Sequence, residues 1–213
     1  MGVILSFDIE GNKKVNPYIL EILERYDLPA IFFFEGRWIE KFPKEARRLS
    51  RKFYIGNHTY SHQNLVKINT IEQQNEIQKC DELLNKILKK SRKKIFRAPF
   101  NKINSQIFTL LKKTKYHYDS SVVKYFRRNP GNLYDIKELF VNIPSDYFLF
   151  VRLKLNDSAA LKFVNSLLKF HTLIGNMVVL DFHPTHPWGI NSHIIFFTKL
   201  CALIQKKFEP SII

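Results

Sequence analysis

The chain has 213 residues, 45% of them hydrophobic, and a formal net charge of +15. So much apolar material excludes a disordered chain and supports one domain over residues 1–213 with a large core. Two cysteines, Cys80 and Cys201, are too few for a disulfide scaffold, and no apolar run approaches the ~18 residues of a membrane-spanning helix.

In chain order, apolar runs bounded by turn residues alternate with segments of helical period. Residues 3–7 read as a buried strand and 17–26 as a helix, capped by Asn16 with Pro17 at its first position. Residues 30–34 form a second buried strand, 40–52 a helix and 53–55 a short strand. A Gly56-Asn57 turn signal then leads into His58 and His62, four residues apart. On a helical turn that spacing puts both imidazoles on one face, about 5–6 Å apart at Cβ. Residues 70–90 read as a long helix, with Thr70 as N-cap, Gln73 three residues on, and an apolar stripe that includes Ile77, Cys80, Leu84 and Ile87. Residues 95–96 are a strand, 105–113 a helix, 116–118 extended, 127–135 a Pro/Gly/Asn-rich loop and 139–143 a strand. A helix over 158–171, a strand over 176–182 and a helix over 192–207 complete the chain.

Such alternation implies α/β architecture with about seven parallel strands, doubly wound or closed into a barrel. The polar residues decide for an irregular (β/α) barrel. Asp8, His58, Arg97, Asp119 and His183 all fall at or just after the C-terminal ends of different expected strands. Residues gathered that way mark an active site at the C-terminal mouth of a barrel.

The positive charge includes clusters at residues 89–94 and at Arg127-Arg128. It suits an anionic membrane surface, with peripheral contact, or an acidic polymer. No nucleic-acid motif accompanies it, and no nucleic-acid partner is expected. The start of the chain lacks the basic segment of a secretory signal, so a cytoplasmic location is expected.

Asp8 and Glu10 stand two residues apart at the end of the first strand, on one side if extended structure persists. One carboxylate with two histidines is a common ligand set for a catalytic metal with open positions, and the second carboxylate is then free to act as a base.

This ordered set, Asp8-Ile9-Glu10, His58 to His62, Arg97-Ala98-Pro99-Phe100, Asp119-Ser120-Ser121 and Asp181-Phe182-His183-Pro184, resembles the five motifs of the polysaccharide deacetylase family, carbohydrate esterase family 4. The resemblance runs from Asp8 to about Trp188. It implies that Asp8 is the general base, that His58 and His62 bind one divalent metal, usually zinc, and that Arg97 holds Asp8. It further implies that His183 is the general acid and that Asp119 orients and charges it. Many members carry two adjacent aspartates in the first motif, but Ile9 fills the second place here. The chain is similar to an Asp-x-Glu sub-branch, which carries the metal role to Glu10. The tryptophan seen in many members after the fourth motif is absent, since Val122 and Val123 follow Ser121. Trp188 and Phe100 are read as substrate contacts, Trp188 by stacking on a sugar ring. Asp181 is expected to point away from the site, since strand neighbours alternate and it shares the side of His183 only if the strand persists that far.

The expected activity is metal-dependent hydrolysis of an N-acyl group, most simply N-acetyl, on an amino sugar of an oligosaccharide, a polysaccharide or a lipid-linked glycan. A deformylase or cyclic-amide amidase is the alternative within the fold. A non-catalytic module for anionic polymers is the alternative outside enzymology.

Overall fold

The computed structural model describes residues 2–88, 93–126 and 129–211; residues 89–92 of the first basic cluster and Arg127-Arg128 lie outside them. The central strand, β1 (Gly2–Ile9), determines how the rest is arranged. Its alternate residues divide cleanly. Leu5, Phe7 and Ile9 join the apolar layer beneath the helices, whereas Ile4 joins a second cluster on the concave side of the sheet. Ser6 and Asp8 continue that concave face toward the C-terminal end of the strand.

β1 pairs in parallel with β2 (Ala30–Phe34) and with β8 (Val178–Phe182). Beyond β2 come β3 (Tyr54–Asn57), β4 (Lys94–Phe96), β5 (Tyr116–Asp119) and β7 (Ile136–Glu138), all parallel. β6 (Gly131–Leu133) closes that edge antiparallel to β7, and β9 (Glu209–Pro210) pairs with the start of β1. The sheet order is therefore β6-β7-β5-β4-β3-β2-β1-β8, a curled and mostly parallel sheet as the sequence implies.

The gap between its two ends is bridged by side chains. Residues 139–143, expected as a strand, are buried but contribute only a single bridge, Val123 to Val141. Asn142 meets β8 through its amide, donating to Met177 O at 2.9 Å and accepting from Val179 N at 2.8 Å. Asn129 likewise joins Phe140 to Met177. Two asparagines thus satisfy backbone groups that a regular ladder would have paired.

The helices pack on the convex side. α1 (Pro17–Arg25) is capped by Asn16, as expected. The helix expected over 40–52 is two, α2 (Gly36–Lys41) and α3 (Pro43–Ser50), because Pro43 lacks the N–H that would continue the first and suits the first turn of the second. α4 (Thr70–Ile87) is capped by Asn69 in a capping box with Glu72. Gln73 is buried instead and donates to the carbonyls of Leu65 and Ile68. α5 (Ser105–Lys113), α6 (Asp157–Leu173) and α7 (Ile194–Lys207) follow the expected segments within a few residues. Among the described residues, no helix is long and apolar enough to cross a membrane.

The concave cluster of Ile4, Ile31, Phe33, Ile95, Leu139 and Val179 forms the floor of the barrel. Burying a Phe33-sized side chain stabilises by about 1.5–3 kcal/mol. Position 56 must be glycine for this floor, since a Cβ there would stand 2.5 Å from the Phe33 ring. The Phe33 ring centroid lies 4.2 Å from the Arg97 guanidinium, and the polar site begins at that level.

Candidate active site

Arg97 follows β4 and is fully buried, a costly place for a permanent charge. Its donors are all directed. Nη1 donates to Asp8 Oδ1 at 2.9 Å and to Asp181 Oδ1 at 2.6 Å. Nη2 donates to the hydroxyls of Ser6 and Ser120, and Nε to Ser120 O. Burial pushes the Asp8 carboxyl up, but Arg97, His58 and His183 together hold it below the ordinary carboxylate range. Asp8 is therefore an ionised carboxylate with one oxygen fixed by Arg97 and Oδ2 free toward the cleft.

Asp181 corrects the sequence reading. It pairs with Ser6 in the β1–β8 register and points inward, as His183 does two residues on. Burial raises it to about 7 despite the opposing charge of Arg97.

The histidine pair converges without a helix. β3 ends at Asn57, and residues 58–64 are irregular, with Thr59 at φ 65° and His62 at φ 57°. Asn57 Oδ1 accepts from Thr59 N at 2.7 Å, and Glu76 of α4 accepts from Ser61 N and Oγ at 2.8 and 2.7 Å. These bonds hold two left-handed turns that bring the rings to 5.0 Å between centroids. The helical geometry expected for this segment is thus replaced by a braced loop.

His58 donates from Nδ1 to the Arg97 carbonyl at 2.8 Å, which leaves a lone pair on Nε2. That Nε2 lies 3.4 Å from Glu10 Oε2 and 3.6 Å from Asp8 Oδ2, and His62 Nε2 touches the same Glu10 oxygen. Beyond Glu10, Gly11 turns the chain away at φ 77°, giving its N–H to Glu35. Glu10 Oε2 and His58 Nε2 are buried atoms without a hydrogen-bond partner. With His62 they form a donor group whose atoms all lie within 4.8 Å of one another. Two imidazole nitrogens and one carboxylate oxygen converging on one point fit a divalent cation of the zinc type. Burial pushes the Glu10 carboxyl up, but the His186 hydrogen bond and the neighbouring His58 and His62 rings pull it far below the usual range.

His183 stands across the cleft, with Nε2 3.9 Å from Asp8 Oδ2. Its partner is Asp146, not Asp119. Asp146 Oδ1 accepts from His183 Nδ1 at 2.7 Å and from Tyr147 N at 2.9 Å. Oδ2 accepts from the backbone N–H groups of His183 at 2.8 Å and Ile190 at 3.0 Å. Burial opposes charge on His183, but Asp146, with Asp181 and Asp8 adding to it, outweighs that and pushes the ring up to about 10. The expected Asp119 contact is absent for a structural reason. Asp119 accepts from Ser121 N and Oγ, and that hydroxyl in turn receives the Ala98 N–H. Asp119 therefore braces the segment after Arg97, next to Glu138. Asp146 had a sequence signal: it follows the apolar run 139–143, an acid just beyond a strand-like segment.

The site opens into a cleft of about 420 Å³ whose walls include Phe100, Tyr147 and Trp188. Phe100, at φ 60°, meets the His62 ring edge-on at 4.7 Å. Trp188 lies 5.0 Å from the His183 ring. Both aromatic side chains read as substrate contacts thus reach the cleft.

Gly189 allows the loop after β8 to close. A Cβ there would stand 2.3 Å from His183 O and 2.7 Å from Asp146 Oδ2. Gly189→Ala is expected to destabilise by about 1–3 kcal/mol, as overpacking does, and to lower turnover by displacing the His183–Asp146 pair. Thermal melting and a rate measurement check this; an unchanged rate would contradict it.

The sequence profile described as "Polysaccharide deacetylase" matches residues 2–118. A peptidoglycan-N-acetylglucosamine deacetylase of Bacillus cereus is 40% identical over 102 residues, 47% of this chain and 37% of that protein. A chitooligosaccharide deacetylase of Azorhizobium caulinodans is 30% identical over 113 residues, 53% of this chain and 54% of that protein. The chain thus matches about half or less of the length of these relatives. A crystal structure of a peptidoglycan N-acetylglucosamine deacetylase superposes with a TM-score of 0.71 over 99% of this chain and 85% of the other, at 22% identity, a likeness of fold. Because the matching profile covers more than half of the sequence, this chain belongs to the polysaccharide deacetylase family.

Proposed function

We propose that the chain is a single catalytic domain that hydrolyses the N-acyl group, most simply N-acetyl, of an amino sugar within a glycan. The observation that carries this reading is the facing of two differently tuned groups. Asp8 is held ionised by Arg97 and His183 is held protonated by Asp146, with 3.9 Å between them beside three metal-type donors.

Glu10, His58 and His62 would hold the cation; when bound, it polarises a carbonyl and lowers the pKa of a water toward ~7. Asp8 Oδ2 takes the proton as water adds to the amide carbonyl, while Arg97 keeps the other oxygen in place. His183 Nε2 then gives its proton to the departing amine, and Asp146 stabilises the imidazolium until that transfer. One water is consumed; the products are the carboxylic acid and the free amino sugar. Trp188 and Phe100 supply apolar faces for a sugar ring. The cleft lining contains neither lysine nor arginine, which suits a neutral N-acylated sugar. Contact with an anionic membrane, and any lipid-linked substrate, would draw on lysines outside this cleft. The names of the relatives, which act on peptidoglycan and chitooligosaccharide, agree with an amino-sugar glycan substrate.

The test is an assay of zinc-reconstituted protein for acetate and formate release from amino-sugar oligomers, lipid-linked sugars and cyclic amides. Acetate from an oligomer supports the proposal, and release from cyclic amides alone refutes it. A second expectation concerns metal content. Wild type should carry about one zinc-like ion per chain, as a structural or catalytic site of this donor set does. His58→Ala and His62→Ala should lose it on elemental analysis; equal content in all three would sink the ligand assignment.

A further inference from the structure

Glu10 has a longer and freer side chain than an aspartate, and its two oxygens are chemically equivalent until something distinguishes them. Here the surroundings do. Oε2 faces His58 at 3.4 Å and touches His62. Oε1 receives a hydrogen bond from His186 Nε2 at 2.8 Å. The His186 ring is itself clamped, stacked on Trp188 with centroids 4.6 Å apart and planes 20° apart. Its backbone is held too, since His186 N donates to His183 O at 3.4 Å and Gly189 N donates to His186 O at 3.2 Å. His186 bonds the other oxygen of Glu10 and does not join the donor group of Glu10, His58 and His62, whose atoms lie within 4.8 Å of one another.

We infer that His186 is a positioning residue that ties down one oxygen of Glu10 and thereby presents the other, singly, to the cation. The inference rests on the reading of Glu10, His58 and His62 as a metal site. Without His186, the Glu10 carboxylate gains rotational freedom that must be lost again on binding. It also loses the hydrogen bond that fixes its orientation. Partners of this kind around a metal ligand are typically worth about 10- to 100-fold in metal affinity. The same loop carries His183 at its start, so the acid and the ligand brace are set by one short segment, residues 183–189.

The experiment measures zinc affinity and stoichiometry by chelator competition on the whole chain. The proteins compared are wild type, His58→Ala, His186→Leu and His186→Gln, each checked for folding by circular dichroism and melting. Glutamine can place an N–H donor near the position of the imidazole Nε2, so it keeps the brace if the brace is what matters. The expected result is one site in wild type, none in His58→Ala, and one site weakened about 10- to 100-fold in His186→Leu. Most of that affinity should return in His186→Gln, a rescue that a merely structural role for the imidazole would not produce. If His58→Ala loses the ion while His186→Leu keeps wild-type affinity, the inference is overturned and the metal reading stands. If His186→Leu loses the site altogether and His186→Gln does not recover it, His186 is a ligand rather than a brace. No binding by wild type would overturn both. A His186→Leu chain that does not fold leaves the decision to His186→Gln: affinity within a few-fold of wild type supports the inference, and loss comparable to His58→Ala overturns it.

Discussion

Asp146→Asn is expected to lower turnover about 10²–10⁴-fold, the usual contribution of general acid catalysis, while leaving the fold in place. Asparagine keeps the size of the side chain and one acceptor oxygen. It cannot keep all four hydrogen bonds, because Asp146 accepts from His183 Nδ1, His183 N, Tyr147 N and Ile190 N with two carboxylate oxygens. If the amide nitrogen turns toward the ring, His183 must move its proton to Nε2 in the neutral form and accept at Nδ1. If the oxygen turns toward it, the negative charge that favours imidazolium is still gone. Either way the acid weakens.

The sign in pH follows from the raised value. Burial disfavours charge on His183, but Asp146, aided by Asp181 and Asp8, favours it more, and the ring is pushed up to about 10 against an ordinary 6.5. Its charged form contributes stability that is complete below 6.5 and is lost as pH rises through about 10. The charged imidazole is accordingly present throughout the neutral range in the native protein. In Asp146→Asn the alkaline limb should move down toward neutrality, so that residual activity falls between about pH 6 and 8, around the ordinary histidine value. Asp119→Asn is the informative comparison. It disturbs the Ser121–Ala98 brace but makes no contact with His183, and its alkaline limb should stay where the wild type has it. Profiles of kcat/KM against pH for the three proteins decide the matter. An unshifted limb in Asp146→Asn, or an equal shift in Asp119→Asn, would return the orienting role to Asp119.

That contrast also locates what was readable in the chain. Residues 3–7 and 30–34 are apolar runs buried on both faces and lie within strands, and the run expected from 176 enters the sheet at Val178. The strand-end acids and histidines followed from the same reading. What failed required tertiary information. His58 and His62 meet because Asn57 and Glu76 hold two left-handed residues, and no spacing rule contains Glu76. Asp119 and Asp146 both follow apolar segments, and only the braces around Ser121 and His183 separate their roles. Asp181 falls on the opposite face from His183 only if extended backbone ends before His183; the β1–β8 pairing runs to Phe182, so the two side chains share one face. The side-chain bridges from Asn129 and Asn142 replace a strand pairing, so the hydrophobic pattern at 139–143 correctly gave burial and wrongly gave regular structure.

Arg97→Met should destabilise the protein by about 3–5 kcal/mol, the range for removing one partner of a buried ion pair, and should cost more than any conservative change in the apolar floor beneath it. The methionine stem can still pack on Phe33, so lost volume is a minor part of the effect. The larger part is electrostatic. Asp8 and Asp181 are both buried, both bonded to Nη1, and both would be left without their cation. Ser6 and Ser120 would lose donors at the same time. The direction of the pH dependence separates this account from a packing defect. Asp181 is already raised to about 7 by burial with Arg97 present, and its deprotonation becomes still harder once Arg97 is gone. Asp8, now lowered, loses the strongest of the charges that lower it and should rise as well. Groups whose folded pKa is raised bind more protons folded than unfolded, so the variant should regain stability as pH falls from about 8 to 5.5. The wild type lacks the Asp8 part of that gain, since a lowered carboxylate contributes stability that is lost, not regained, on acidification. The gap between the two proteins must therefore narrow toward acid. Urea unfolding of wild type, Arg97→Met and Arg97→Lys at both pH values measures it. Arg97→Lys retains the charge but not the fork of donors, and it should fall between the other two. A gap that stays constant with pH would assign the loss to packing, and a wild-type midpoint for Arg97→Met would show that the buried carboxylates find no use for their cation.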